Sequence, residues 1–356
     1  MLIQLAAMGV LAALLPLTMV WVSSDTDKYR KLVWVTLFLT FDLIMFGAFT
    51  RLTDSGLGCP DWPGCYGHAN PLQAHADISA AEAAMPTGPV TVVKAWIEMV
   101  HRYLAMGIGV LIVSMTAIAW RRWLQSGRKE MKFSPWVPTL LLAFICVQGA
   151  FGAWTVTMKL QPVIVTTHLL LGMSLLALLA WFGARLSDHA PVSRSAAPLL
   201  VPATLAAVAL AVQIALGGWV SSNYAALACT DFPLCNGMLF PQMDFANGFA
   251  LWRDLGKTAQ GDYLGFAALT AIHWTHRAFA FVVVMLVAWV AIKSFKIDAL
   301  RKTARWLSVL IALQFAIGIA TVFLDLPLLL AVAHNGCAAL LVILLSMLNH
   351  KVRIAR

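Results

Sequence analysis

The chain has 356 residues, of which 61% are hydrophobic and only 12% are charged, and its mean hydropathy is +0.81. An ordinary soluble domain carries about 25% charged residues, so the composition excludes that class and places most of the chain in a lipid bilayer. The net charge of +9 does not indicate nucleic-acid binding, because the basic residues are confined to alternate loops rather than spread over one face.

Nine stretches are long and apolar enough to cross a membrane, which requires about 20 mostly apolar residues. In chain order they are 2–22, 32–52, 99–120, 135–157, 163–184, 197–219, 271–292, 304–324 and 328–348. The first stretch lacks the basic start and the cleavage site of a secretory signal peptide. It is therefore predicted to be retained as an extra N-terminal transmembrane helix, which occupies 1–31 with its linker.

The basic residues predict the orientation in the membrane. They concentrate in the connections 23–31, 121–134, 185–196 and 293–305, and in the tail, with Lys351, Arg353 and Arg356. Short connections of this kind face the cytoplasm. The N-terminus and the long loops 53–98 and 220–270 are then expected outside, in the periplasm next to a bacterial inner membrane, and the C-terminus in the cytoplasm.

The chain also contains an internal repeat, which is the most informative feature of the sequence. Residues 59–67 and 229–237 share the pattern C-x-D-[WF]-P-x-C-x-G. Further matches at corresponding places are His101-Arg102 with His276-Arg277, Gln148 with Gln314, and His168 with His334.

Each half of the repeat is predicted to be a four-helix bundle, the first at 32–196 and the second at 197–356. Because four helices return the chain to the same side, the halves share one orientation and are related by a pseudo-twofold axis along the membrane normal. The predicted fold is therefore an all-α polytopic membrane protein with two tandem four-helix repeats and one additional helix.

Four histidines lie inside predicted spans at corresponding repeat positions: His101, His168, His276 and His334. Ionisable groups in lipid are costly and are most often functional. Two imidazoles at similar depth on neighbouring helices can ligate one heme iron from both faces. Packed histidines bonded to a neighbouring helix are the alternative, but the duplicated positions favour one heme in each half. Zinc is disfavoured because no set of four ligands is present.

Glu98 distinguishes the first half from the second. It lies three residues before His101, so the two side chains share one helical face. The corresponding residue before His276 is His273. The sequence therefore predicts a carboxylate beside one heme only, although an interfacial role for Glu98 stays open.

The outer loops carry two cysteine pairs, Cys59 with Cys65 and Cys229 with Cys235. Disulfides persist on the oxidising side of a membrane. A bridge over so short a ring mainly shapes its loop. An exchangeable dithiol that passes electrons is the second interpretation.

The chain resembles the heme A synthase family of cytochrome oxidase assembly, which converts heme O to heme A. The resemblance covers about 32–350 and depends on GAFTRLTDSG at 47–56, the cysteine loop with its tryptophans, WIEMVHR at 96–102, and the later paired histidines. The extra N-terminal span and the Ala-rich loop 68–97, which could carry a short helix, depart from the family's shared eight-helix unit.

The resemblance implies oxidation of one porphyrin methyl to a formyl group by successive hydroxylations. It assigns a heme b cofactor to His276 and His334, the substrate heme to His101 and His168, and assistance in the chemistry to Glu98. Arg102 and Arg277 are similar to positions that could pair with heme propionates, with snorkelling to the interface as the alternative.

The implied partners are heme O as substrate, a heme O synthase, cytochrome oxidase assembly factors and the lipid bilayer, with no nucleic acid, and a homo-oligomer is left open. Two other functions fit the same histidines. One is a diheme b-type membrane cytochrome for quinol-linked electron transfer, which has no need of a carboxylate in one site only. The other is a heme transporter that uses the repeat for alternating access.

Overall fold

The computed structural model describes residues 1–355, and Arg356, named above among the basic residues of the tail, lies outside this range. Within these residues the chain is helical, and its β pairing consists of isolated bridges in the two long loops. Nine helices of residues 1–355 are long and apolar enough to cross a membrane, as predicted. They are α1 (Leu2–Val22), α2 (Lys28–Leu52), α4 (Val92–Gln125), α5 (Trp136–Thr157), α6 (Pro162–Leu186), α7 (Leu200–Ser222), α9 (Phe266–Ser294), α10 (Asp298–Phe323) and α11 (Leu328–Arg353).

Two short helices, α3 (His75–Ala84) and α8 (Phe245–Gly248), lie in the long loops, and two 3-10 turns, Met131–Phe133 and Arg194–Leu199, precede α5 and α7. The presence of α3 confirms the helix suggested for 68–97. The helix α3 begins with polar residues and continues into an Ala-rich segment. Asp77 lies in its first turn, where a negative charge interacts favourably with the helix dipole.

The helices α4 and α9 extend further toward the cysteine loops than the apolar pattern predicts. The helix α4 starts at Val92 and α9 at Phe266. Backbone hydrogen bonding continues through the interface, where polar residues are tolerated and hydropathy falls. His101 and His276 therefore lie deeper in their helices than the predicted spans 99–120 and 271–292 place them, since each is at least nine residues, or roughly 14 Å, from the start of its helix.

The first of two compact units contains Met1–Met158 and Ser174–Ser187. In this unit α1 packs closely on α4, because small residues let the two backbones approach. A Cβ atom added to Gly9 would lie 2.9 Å from Cβ of Met106, and one added to Gly107 would lie 3.0 Å from Cβ of Ala12. Leu5 extends this contact into the buried cluster that surrounds the first cysteine pair.

The second unit contains Lys159–Met173 and the chain from Asp188 onward. Its long helices α7, α9, α10 and α11 pack in sequence order, and α11 returns to α7. Near one end of α7, Thr204 donates to Oδ1 of Asn349 on α11 at 2.9 Å. At the other end, Trp219 donates from Nε1 to the carbonyl of Gly248 at 2.8 Å. The division into two four-helix repeats stays a prediction.

Candidate functional site

In the second unit, His276 on α9 and His334 on α11 each lie against a glycine of a neighbouring helix. A Cβ atom added to Gly217 of α7 would lie 3.0 Å from Cε1 of His276. One added to Gly318 of α10 would lie 3.2 Å from Cε1 of His334. A side chain larger than glycine at either place would therefore crowd the imidazole.

A glutamine anchors each of these two imidazoles. Nε2 of Gln213 on α7 lies 3.1 Å from Nδ1 of His276, and Nε2 of Gln314 on α10 lies 3.1 Å from Nε2 of His334. The amide oxygens of both glutamines are buried without a partner in the described structure. The oxygen and nitrogen of a side-chain amide can exchange places by a half-turn of the group. After such a turn, the oxygen of each glutamine would accept a hydrogen bond from the N–H of its histidine ring and so fix the tautomer of that ring.

The surroundings of His276 and His334 suit two side chains that would hold a heme iron. Histidines that bind a metal usually hold one ring nitrogen in a hydrogen bond and offer the other to the metal. In His334 the second nitrogen, Nδ1, is buried and has no hydrogen-bond partner within residues 1–355. Two half-buried imidazoles, each anchored on one side and confined by a glycine, are therefore suited to hold a heme from two helices.

In the first unit, His101 on α4 has the same kind of neighbour. A Cβ atom added to Gly47 of α2 would lie 3.0 Å from Nε2 of His101. The preceding residue, Phe46, stacks on the imidazole with ring centroids 6.2 Å apart and planes inclined by 17°. The sequence repeat thus brings Gly47 and Gly217 to equivalent places, each facing the histidine that precedes an arginine.

The carboxylate of Glu98 is buried, with 4% of the residue exposed, and both of its oxygens are used. Oε2 accepts a hydrogen bond from the backbone N–H of Cys59 at 2.8 Å. Oε1 forms an ion pair with Arg102, one turn further along α4. Glu98 therefore joins the helix that carries His101 to the start of the first cysteine loop.

His273 makes the corresponding contact in the second unit. Its Nδ1 accepts a hydrogen bond from the backbone N–H of Cys229 at 3.1 Å, and the residue is 4% exposed. Glu98 and His273 thus anchor equivalent positions of the two cysteine loops. The sequence did not reveal this shared role, because the two side chains are chemically different. They differ in charge, because only the first unit places a carboxylate there.

Arg102 and Arg277 both hold their cysteine loops. Arg102 donates to the carbonyl oxygens of Pro63 and Gly64, and Arg277 donates to those of Asp231 at 2.7 Å and Leu234 at 2.9 Å. Each guanidinium binds carbonyls inside the loop, so each arginine fixes the loop above the histidine that precedes it in sequence. Neither role was evident from the sequence.

Both predicted disulfides are present, Cys59 with Cys65 and Cys229 with Cys235. All four cysteines are buried, with at most 2% of each residue exposed. Burial shields the sulfur atoms from attack by dissolved thiols, since thiol exchange requires access. The structure therefore favours a staple over an exchangeable dithiol. Asp61 and Asp231 close the two rings in the same way, each accepting two backbone N–H bonds from the residues after the second cysteine.

His168 lies on α6, six residues after the start of the helix at Pro162, and belongs to the second compact unit. Its pairing with His101 stays a prediction. Sequence reasoning missed the roles of Gln213, Gly217 and Gly318. The sequence did contain one signal for Gln213, because its polar amide lies within the apolar span of α7, four residues before Gly217.

Comparisons with known proteins agree with the motifs. Residues 30–346 match the COX15-CtaA family, described as cytochrome oxidase assembly protein, and α1 precedes this range. A protein named heme A synthase from Shewanella oneidensis is 39% identical over 90% of this chain and 96% of its own length. A protein of the same name from Sinorhizobium fredii is 32% identical over 88% of this chain and 88% of its own length. Another, from Erythrobacter litoralis, is 29% identical over 91% of this chain and 97% of its own length.

Proposed function

Because the chain belongs to the heme A synthase family of cytochrome oxidase assembly proteins, we propose that it oxidises a methyl group of heme O to a formyl group within the membrane. The observation that carries this proposal is the difference between the two units at one position. Glu98 supplies a fixed carboxylate three residues from His101, whereas His273 takes the equivalent place beside His276. A protein that only passed electrons between two hemes would not need this difference.

We assign a resident heme b to His276 and His334. The glutamine at each ring holds the imidazole in one orientation, and the glycine opposite each ring admits it without strain. A heme bound in this way supplies electron transfer at the site. The residues of the chain contribute its orientation and a surrounding with little water, which strengthens their electrostatic effects on the reaction.

We assign the substrate heme to His101 in the first unit. The carboxylate of Glu98 is held by the N–H of Cys59 and by Arg102 before any substrate arrives. A charge fixed in this way stabilises positive charge that develops nearby without reorganising during the reaction. Its remaining lone pairs can also accept a proton released from the oxidised methyl group.

The arginines extend the same difference between the units. Arg102 is neutralised by Glu98, whereas Arg277 makes no ion pair within the described residues and leaves its Nη1 buried without a hydrogen-bond partner. A free donor with a net positive charge suits a permanently bound propionate. We therefore propose that Arg277 pairs with a propionate of the resident heme.

We place the protein in a bacterial inner membrane, with its N-terminus and cysteine loops in the periplasm and its C-terminus in the cytoplasm. The basic connections support this orientation through the positive-inside rule. The two disulfides support it independently, because such bonds form and persist in the periplasm and are rare in the cytoplasm.

The test is heme extraction from purified full-length protein after co-expression with a heme O synthase, with separation of heme B, heme O and heme A by chromatography. The parent should yield heme A. Glu98→Ala should keep its heme b but lower the heme A yield about a hundredfold or more, which is the usual effect of removing one fixed electrostatic group. Glu98→Gln keeps the hydrogen bond to Cys59 and tests the charge alone.

Glu82→Ala is the matched control, because Glu82 also accepts a backbone N–H, from Val92 at 3.0 Å, but lies on α3. It should leave the heme A yield unchanged. A normal yield from Glu98→Ala would remove the catalytic role of Glu98. His276→Ala should lose heme b, and unchanged heme b in that variant would contradict the assignment of the second unit.

A further inference from the structure

Asp42 is an acidic residue in the middle of a membrane-spanning helix. It lies ten residues from the end of α2 at Leu52, or about 15 Å along the helix axis. The residue is exposed, and within residues 1–355 its carboxylate takes part in no hydrogen bond or ion pair. A carboxyl group at this depth is costly unless a polar partner satisfies it, so a ligand of the protein is the expected partner.

The position of Asp42 on α2 relates it to the candidate substrate site. Residues four apart in a helix lie on the same face, and Phe46, four residues after Asp42, stacks on the imidazole of His101. Asp42 therefore lies on the face of α2 that is turned toward His101. It is about 6 Å further along the helix axis from the cysteine loop than Phe46 is.

The second unit has an apolar residue at the equivalent position. Gly47 and Gly217 both face a histidine, and they are separated by the same interval as Cys59 and Cys229. Five residues before Gly217 stands Val212, which is 43% exposed, where the first unit has Asp42. The acid is thus present only in the unit to which we assign the substrate heme.

We propose that Asp42 recognises heme O by hydrogen-bonding the hydroxyl group of its hydroxyethylfarnesyl side chain. This inference rests on the function proposed above. In heme O the hydroxyl is carried by the carbon next to the porphyrin ring, on the edge opposite the propionates. Heme B has a vinyl group in its place and offers no partner to a carboxyl group there.

The charges at the two ends of the first site fit this orientation. Arg102 lies at the end near the cysteine loop, where its guanidinium attracts propionates less strongly than Arg277 does, because Glu98 offsets its charge. The opposite edge of the porphyrin then points away from the loop, toward the depth of Asp42. A site with a polar group next to a hydroxyl discriminates strongly, because the analogue without the hydroxyl covers that group and leaves it unpaired. Asp42 is accordingly a specificity residue that separates heme O from the more abundant heme B.

The experiment is a competition for binding between heme O and heme B. Purified full-length protein is expressed without a heme O synthase and mixed with both hemes in detergent, and the bound hemes are then extracted and separated. The parent should prefer heme O at the first site by about tenfold or more. Asp42→Leu should reduce this preference to within about twofold, through weaker binding of heme O. Asp42→Asn keeps a donor and an acceptor and should retain most of the preference.

Phe38→Leu is the matched control, because Phe38 lies one turn away on α2 and is 60% exposed, and its preference should equal that of the parent. Retention of heme b in the second unit shows that each variant is folded. If the parent makes heme A but Asp42→Leu prefers heme O as strongly as the parent, this inference is overturned and the proposed function stands. If the parent makes no heme A and does not discriminate between the hemes, the proposed function fails and the inference fails with it.

Discussion

Replacement of Gly217 by alanine tests whether the glycine opposite His276 is needed to hold the resident heme. The added Cβ atom would lie 3.0 Å from Cε1 of the imidazole. Ordinary carbon contacts begin at about 3.5 Å, so the ring must move by roughly 0.5 Å or the two helices must separate. Overpacking of this kind costs about 1–3 kcal/mol, which corresponds to a fall in heme affinity of about 5-fold to 150-fold.

The assay is the heme b content of the purified protein, measured by optical spectrum and by extraction. Gly318→Ala should have a smaller effect, because the added atom would lie 3.2 Å from Cε1 of His334. Gly149→Ala in α5 is the control, since nothing lies within 4 Å of the added atom. Alanine favours a helix over glycine by about 1 kcal/mol, so the control should be as stable as the parent or slightly more stable.

The helix propensity of alanine and the steric crowding by its Cβ atom change the heme content in opposite directions, so the three variants distinguish between them. A general effect of alanine on helix stability would raise or preserve heme content in all three variants. The steric effect lowers it in the order Gly217→Ala, then Gly318→Ala, with no loss in Gly149→Ala. Full heme b content and an unchanged spectrum in Gly217→Ala would refute the proposed packing of His276.

Three further predictions concern stability, measured as the unfolding temperature in detergent. Cys229→Ser should destabilise the protein by about 2 kcal/mol, since it opens a short disulfide ring, and an unfolding temperature equal to that of the parent would contradict this. Burial alone would raise the pKa of Asp27, but hydrogen bonds from Lys132 and a backbone N–H bring it below 3.8. The stabilisation by this carboxylate is therefore present at pH 7 and lost as the pH falls below about 4. Asp27→Asn removes the charge but can still cap α2. The variant should have a lower unfolding temperature than the parent at pH 7 and the same unfolding temperature in acid. Gly9→Leu should separate α1 from α4 at a cost of about 1–3 kcal/mol, and an unchanged unfolding temperature would contradict the close contact of these helices.

The nine spans were predictable because membrane insertion imposes a length and a composition that hydropathy detects directly. The helix ends were less accessible. At Val92 and Phe266 the backbone continues its hydrogen bonding into the interface, where polar side chains are stable and hydropathy no longer distinguishes helix from loop. This is why His101 and His276 lie deeper in their helices than the apolar pattern suggests.

The histidines were predictable because the repeat marks them twice, whereas their surroundings were not. Gln213 has no counterpart at the equivalent place, where the first unit has Leu43, so the repeat gives no signal for it. The clearance at Gly217 depends on how closely α7 approaches α9, which follows from side-chain packing over the whole interface. Spacing along the chain cannot give that distance.

Glu98 and His273 show a different limit of sequence reasoning. Their unlike side chains suggested that the two sites had diverged in structure, yet each accepts the N–H of the first loop cysteine. A hydrogen-bond acceptor is what the loop requires, and either residue supplies one. The structural requirement is therefore shared, and the difference that remains is electrostatic.

In the function we propose, that electrostatic difference separates a heme that stays from a heme that must leave. In the second unit, Arg277 keeps a free buried donor, and two glutamines fix the imidazoles, so every feature favours tight and permanent binding. In the first unit, Glu98 neutralises Arg102, which weakens the attraction for propionates, and Asp42 replaces an apolar contact by a hydrogen bond that only the correct substrate can make. Lower general affinity combined with a specific contact lets a product dissociate while the wrong heme is excluded. We therefore propose that the first unit is suited to heme exchange and the second to heme retention.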